Sequence, residues 1–136
     1  MGNYTIINFD TLGDERGSLI SIEEGYNIPF EIKRVYYIFN TKQGVIRGYH
    51  AHINLKQLAI AVKGSCTFML DNGKQREEIT LNNPNQGLQL EGLIWREMKN
   101  FSDDCVLLVL ASEHYDENDY IRDYQKFVDI VWHETK

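Results

Sequence analysis

The sequence predicts an all-β chain, an antiparallel sandwich or barrel with one short C-terminal helix. Three observations predict it. Short runs of β-branched and aromatic residues recur along most of the chain, with Gly, Asn, Asp and Pro between them. No helical period separates these runs, so consecutive strands pair antiparallel rather than through helical crossovers. Only near the C terminus does the apolar period lengthen to that of a helix.

The elements follow in order. YTIINF at 4–9 is a strand, GDERGS at 13–18 a turn, and SLISIEE at 18–24 a second strand that leads into a loop through Pro29. FEIKRVYYIFN at 30–40 is the next strand, on which Tyr36 and Tyr37 face opposite ways, so that one is free to stack on a base while the other is core. RGYHAH at 47–52, QLAIAVKG at 57–64 and SCTFML at 65–70 follow. Asp71-Asn72-Gly73-Lys74 then forms a hairpin turn, because Asn and Gly tolerate the positive φ that tight turns need. REEITL, GLQLEGLIW and CVLLVLAS complete the strands. Tyr120, Tyr124, Phe127, Val128 and Val131 mark one face of the terminal amphipathic helix, a stripe that serves packing.

A chain of 136 residues with 43% hydrophobic content suits one domain spanning 1–136. No apolar run approaches the ~20 residues needed to cross a bilayer, and MGNYTIINFD lacks the basic-then-apolar order of a secretion signal. A cytoplasmic protein without a membrane partner is expected. Cys66 and Cys105 belong to no CxxC pair and are expected as free thiols acting as small core hydrophobes. The net charge of −6 argues against nucleic acid. Its distribution is uneven: residues 1–63 hold seven Lys/Arg against six Asp/Glu, whereas 64–136 hold seven against fourteen. Basic residues therefore gather around the histidine stretch, which suits an anionic small molecule.

Alternation puts His50 and His52 on one strand face, about 7 Å apart. The wider spacing is more specific: Gly44, five residues, His50, one, His52, four, Gln57, six, Gly64. It matches the first motif of the cupin fold, a double-stranded β-helix or jelly-roll barrel, except that Gln57 replaces a glutamate. Cupin metals are held by the two histidines, that glutamate and a histidine from a later strand. Here an amide oxygen is a poor ligand, and the later strand, GLIWREMKNF, offers Arg96, whose guanidinium repels a metal. No metal and no other cofactor is expected. Arg47 points away from the histidines by strict alternation, and only a bulge near Gly48 would re-aim it.

Over nearly its whole length the chain resembles the sugar-nucleotide 3,4-ketoisomerases, cupin enzymes that act on dTDP-4-dehydro-6-deoxy-D-glucose in deoxyamino-sugar biosynthesis for bacterial surface glycans. RGSL at 16–19, IPFEIKRVYYIF at 28–39, RGYHAH at 47–52, the GL and W between Leu81 and Trp95, and VLLVLASEHYDENDYIRDY at 106–124 carry the resemblance. It implies His50 as the base, with an unperturbed imidazole pKa near ~6.5, and His52 as a partner that bonds the sugar oxygens or passes a proton between them. Arg96 would steady enediolate charge, Arg16 and Arg47 would grip the diphosphate, and Gln57 would line the pocket. It further implies a homodimer. Family members that set the carbon-4 hydroxyl in the galacto sense resemble one another in having Arg and His at positions 16 and 96, and gluco members in having Tyr and Arg. This chain has Arg at both, a mixed pattern that does not assign the product's configuration. Three rival functions are weighed against this reading: a dTDP-sugar 3,5-epimerase, against which the second histidine counts, a metal-dependent cupin oxygenase, and a non-catalytic sugar-nucleotide-binding module.

Overall fold

The computed structural model describes residues 2–134. Twelve strands make up its framework: β1 (Asn3–Asn8), β2 (Leu12–Asp14), β3 (Gly17–Leu19), β4 (Arg34–Ile38), β5 (Arg47–His52), β6 (Gln57–Lys63), β7 (Cys66–Asp71), β8 (Arg76–Leu81), β9 (Gln86–Glu91), β10 (Trp95–Lys99), β11 (Val106–Ala111) and β12 (Tyr120–Ile121). A 3-10 turn (Glu117–Asp119) precedes β12, and the helix α1 (Tyr124–Glu134) follows it. One sheet runs β1-β9-β6-β11-β4, its face partner runs β12-β5-β10-β7-β8, and β2-β3 is a separate hairpin. All of the strand pairs are antiparallel. This is the expected all-β cupin architecture with a short terminal helix.

Alternation sorts the side chains of each sheet. Ala59, Ala61, Leu88, Leu90, Leu107 and Val109 of the first sheet meet Phe68, Leu70, Leu81 and Met98 of the second in the central core. The outward residues of β6, Leu58 and Ile60, join Phe9, Ile28 and Phe30, so the long segment after β3 covers that face. On the second sheet the outward Ala51, Met69 and Trp95 lie under Phe127 and Val131 of α1. Fully burying each such apolar helix residue contributes about 1.5–3 kcal/mol. Asp71 ties the helix to the sheet, since Oδ2 accepts from Tyr124 Oη at 2.6 Å and from Arg76 Nε at 3.0 Å.

Several elements are shorter than the sequence pattern suggests. SLISIEE forms a strand only over Gly17–Leu19, and FEIKRVYYIFN only over Arg34–Ile38. GLQLEGLIW is two strands, broken where Gly92 adopts a φ of +72°. The expected helical stripe begins too early: Tyr120 lies in β12, and the helix starts at Tyr124. The cause is Asp123, whose Oδ1 accepts the N–H groups of Gln125 and Lys126 and caps the helix there.

Candidate active site

A bulge builds the site. Along the β5–β10 ladder Met98 faces Arg47 and Glu97 faces Gly48, but Arg96 faces His50, leaving Tyr49 as an extra residue. Gly48 and Tyr49 take positive φ values of 94° and 58°. A Cβ on Gly48 would lie 2.8 Å from the Arg96 carbonyl oxygen, so the close approach needs glycine. Without the extra residue His50 would stand opposite Trp95 and point outward under the helix. With it, His50 and His52 both face inward beside Arg96.

Three aromatic rings then cluster. The His50 and His52 rings lie 4.8 Å apart, centre to centre, and Tyr120, paired with His52 in the strand register, lies 5.0 Å from the first and 4.3 Å from the second. Nδ1 of His50 is 3.1 Å from the Gly48 carbonyl oxygen. A carbonyl only accepts, so Nδ1 carries the hydrogen and Nε2 keeps a free lone pair. Burial and the nearby Arg96 cation lower the His50 pKa to about 4, and burial foremost, then Arg96 and His50, lower that of His52 to about 2. The expected unperturbed imidazole is therefore corrected: both rings are neutral throughout the neutral range.

The first sheet supplies the opposite wall. Buried Arg96 donates from one terminal nitrogen to Gln57 Oε1 and from the other to the Ile94 carbonyl at 3.0 Å, while Gln57 Nε2 donates to Tyr36 Oη at 2.9 Å. Burial lowers the Arg96 pKa to about 10, which leaves it cationic at neutral pH. Burial raises that of Tyr36, which stays a phenol. Gln57 and Arg96 thus bond to each other. Arg96 Nε and both nitrogens of His52 lack a hydrogen-bonded protein partner.

Beyond the histidines opens a cavity of about 560 Å³, lined among others by Arg34, His52, Asn54, Tyr115, Asp119 and Tyr120. Arg34 lies 5.2 Å from the Tyr36 ring and 5.8 Å from the Tyr115 ring, and its buried Nε has no partner. Arg122 sits 4.2 Å over Tyr120 and is held by two bonds to Glu117, at 2.7 and 2.9 Å. The arrangement brings two neutral imidazoles, fixed cations and a phenol together beside this cavity.

His50, His52, Gln57 and Arg96 come together as the sequence suggests. Arg16 does not join them within this chain: it lies exposed on the β2–β3 hairpin, paired with Asp14 at 2.6 Å. Arg47, re-aimed by the bulge to stand opposite Met98, remains exposed and does not line the cavity. The paired tyrosines are resolved, Tyr36 facing inward and Tyr37 outward. Arg34, Tyr115, Asp119 and Tyr120 were given no part in the site by sequence reasoning. The last three lie in the YDENDY stretch, which carried the most specific resemblance and so held the signal.

Comparison with known proteins places these features in context. Residues 2–132 match the family described as FdtA: WxcM-like, C-terminal. The TDP-4-oxo-6-deoxy-alpha-D-glucose-3,4-oxoisomerase of Aneurinibacillus thermoaerophilus is 54% identical over 122 residues, covering 90% of this chain and 88% of that protein. A 3,4-ketoisomerase crystal structure from Helicobacter canadensis is 52% identical with a TM-score of 0.92, covering 95% of this chain and 97% of the other. A mutant of the 3,4-ketoisomerase QdtA from Thermoanaerobacterium thermosaccharolyticum, in complex with TDP-4-keto-6-deoxyglucose, is 44% identical with a TM-score of 0.94, covering 96% and 95%.

Proposed function

Because the chain belongs to the FdtA, WxcM-like family of sugar-nucleotide 3,4-ketoisomerases, we propose that it converts dTDP-4-dehydro-6-deoxy-D-glucose to a dTDP-3-dehydro-6-deoxyhexose. The observation that supports this most is the pair of neutral histidines, one with its Nε2 lone pair free, beside a buried arginine, with His52 on the wall of the cavity. Moving a ketone from carbon 4 to carbon 3 needs a base for the carbon-3 hydrogen, stabilisation of an enediolate, and proton return at carbon 4.

His50 Nε2 takes the carbon-3 proton, giving an enediolate whose negative charge lies on the carbon-4 oxygen. His52 moves the proton from the carbon-3 oxygen to the carbon-4 oxygen. Carbon 4 is then reprotonated by the imidazolium of His50, which returns to its neutral form, and the carbon-3 ketone forms. Arg96 steadies the negative charge that builds on the oxygens, and Gln57 holds Arg96 and Tyr36 in line. The diphosphate is assigned to Arg34 rather than to Arg16 or Arg47, since only Arg34 lines the cavity with an unused buried donor.

A 3-ketosugar is what an aminotransferase needs to place nitrogen at carbon 3, which supports a role in deoxyamino-sugar biosynthesis for surface polysaccharides. The nucleotide-linked substrate and the buried free thiols Cys66 and Cys105 support a cytoplasmic setting; among the described residues no helix is long and apolar enough to cross a membrane. The exposed apolar edge of β4 supports a homodimer.

Incubating the protein with dTDP-4-dehydro-6-deoxy-D-glucose and following the sugar by NMR tests the function. The expected product carries its ketone at carbon 3. Inverted centres with the ketone still at carbon 4 would mean an epimerase, and an unchanged spectrum a binding module.

A further inference from the structure

Asp119 has no part in the scheme above, yet its neighbours hold it firmly. It ends the 3-10 turn before β12, and its backbone carbonyl accepts from Ile53 N at 3.1 Å. Oδ1 accepts from Asn54 N at 2.8 Å and Oδ2 from Leu55 N at 3.2 Å. Backbone and carboxylate together thus lock Asp119 onto the three residues that follow His52. Oδ2 lies 3.3 Å from Nδ1 of His52, in a pocket that leaves the imidazole 1% and the carboxylate 14% exposed. The contact is close enough to pair but lies off the line of a formed hydrogen bond, and neither ring nitrogen has another protein partner. Loose catalytic contacts of this kind tighten when substrate fills the site.

We propose that Asp119 is a positioning residue for the ketoisomerase reaction, accepting the Nδ1–H of His52 and thereby leaving Nε2 as the nitrogen that carries the proton between the sugar oxygens. The proposal rests on the function assigned above. Its chemistry balances within one turnover. Nε2 accepts the hydroxyl proton from the carbon-3 oxygen, the ring is briefly an imidazolium, and the same Nε2–H goes to the carbon-4 oxygen. That imidazolium would form among cations, because Arg96, Arg34 and Arg122 all raise the local positive potential at His52. Asp119 is the carboxylate in direct range to offset it, and by fixing the tautomer it keeps Nδ1 out of the transfer.

The test is the ring-nitrogen NMR spectrum of protein labelled with 15N-histidine, with His52 assigned by its loss in His52→Gln. In the wild type His52 is expected as the Nδ1–H tautomer; the Nε2–H tautomer overturns the proposal without any variant having to fold. In Asp119→Asn a single amide oxygen must serve Asn54 and Leu55, which turns the NH2 group toward Nδ1. The expected result is a switch of His52 to Nε2–H and a kcat lower by roughly 10- to 100-fold, with dTDP affinity unchanged. A variant that melts at lower temperature but keeps kcat and tautomer would show a structural role only and overturn the proposal. If the wild type leaves the ketosugar unchanged, the functional assignment fails on that measurement, and the tautomer still judges the Asp119 contact.

Discussion

His50 enters the reaction deprotonated, because burial foremost and the Arg96 cation next hold its pKa near 4. The acid limb of kcat/KM, which reports the base of the free enzyme, should therefore lie well below pH 6.5. A rate that halves near 6.5 would contradict the burial of this ring. His50→Asn removes the base and leaves Arg34 and the cavity intact, so turnover should vanish while dTDP binding, measured by calorimetry, stays within a few-fold. Loss of nucleotide binding in a folded variant would make His50 a binding residue instead. The same shifts bear on stability. Both histidines titrate lower in the folded chain than their ordinary 6.5. Between these values the unfolded chain binds more protons, so their contribution is present above pH 6.5 and lost as pH falls, toward about 4 for His50 and further for His52. Urea midpoints should drop between pH 7 and 4, and His52→Gln should flatten that drop.

At the scale of elements, the β5 bulge turns a two-residue alternation into an active site. Gly48→Ala would strain a φ of +94° and set a Cβ against the Arg96 carbonyl. The left-handed region alone costs a non-glycine residue about 1–2 kcal/mol. The unfolding free energy from urea titration should fall by at least that amount, and kcat with it, as His50 shifts against Arg96; an unchanged kcat would show that the bulge does not position the base. Such elements also mark what the sequence could reveal. Alternation in QLAIAVK and VLLVLA is dictated by two buried faces and was legible, as was the turn at Asn72-Gly73. The bulge was foreseen only as a condition at Gly48, because one extra residue leaves the local pattern unchanged and its cause, the Arg96 strand, is 46 residues away in the sequence. Tyr120 was placed on the helix because it stands at i−4 from Tyr124. The pairing with His52 that holds it in β12 is a tertiary contact with no local signal. Arg34 was one of several basic residues until the fold set it between Tyr36 and Tyr115.

For the whole molecule, what remains uncovered decides its assembly. The segment after β3 shields one outer face and α1 the other, so Leu58, Ile60, Trp95 and Met69 are all buried. The strand β4 escapes both covers. It ends its sheet, leaving backbone groups unpaired on one side, and outward from it stand Val35, Tyr37 and, just beyond, Phe39, which are 53%, 60% and 55% exposed. Leu12 and Leu19 on the β2–β3 hairpin are as bare, at 56% and 57%. A long apolar edge of this kind invites uncontrolled pairing unless a partner occupies it, and a second copy related by a two-fold axis closes the contact rather than propagating it. We therefore expect the dimer mass in light scattering at micromolar concentration, and a monomer mass would count against the idea. Replacing Val35 and Tyr37 together by lysine leaves the inward side chains Arg34, Tyr36 and Ile38 in place while adding like charges across the two-fold axis. The double variant should elute as a folded monomer. If it remains a dimer, the interface lies elsewhere, with the β2–β3 hairpin the next surface to charge.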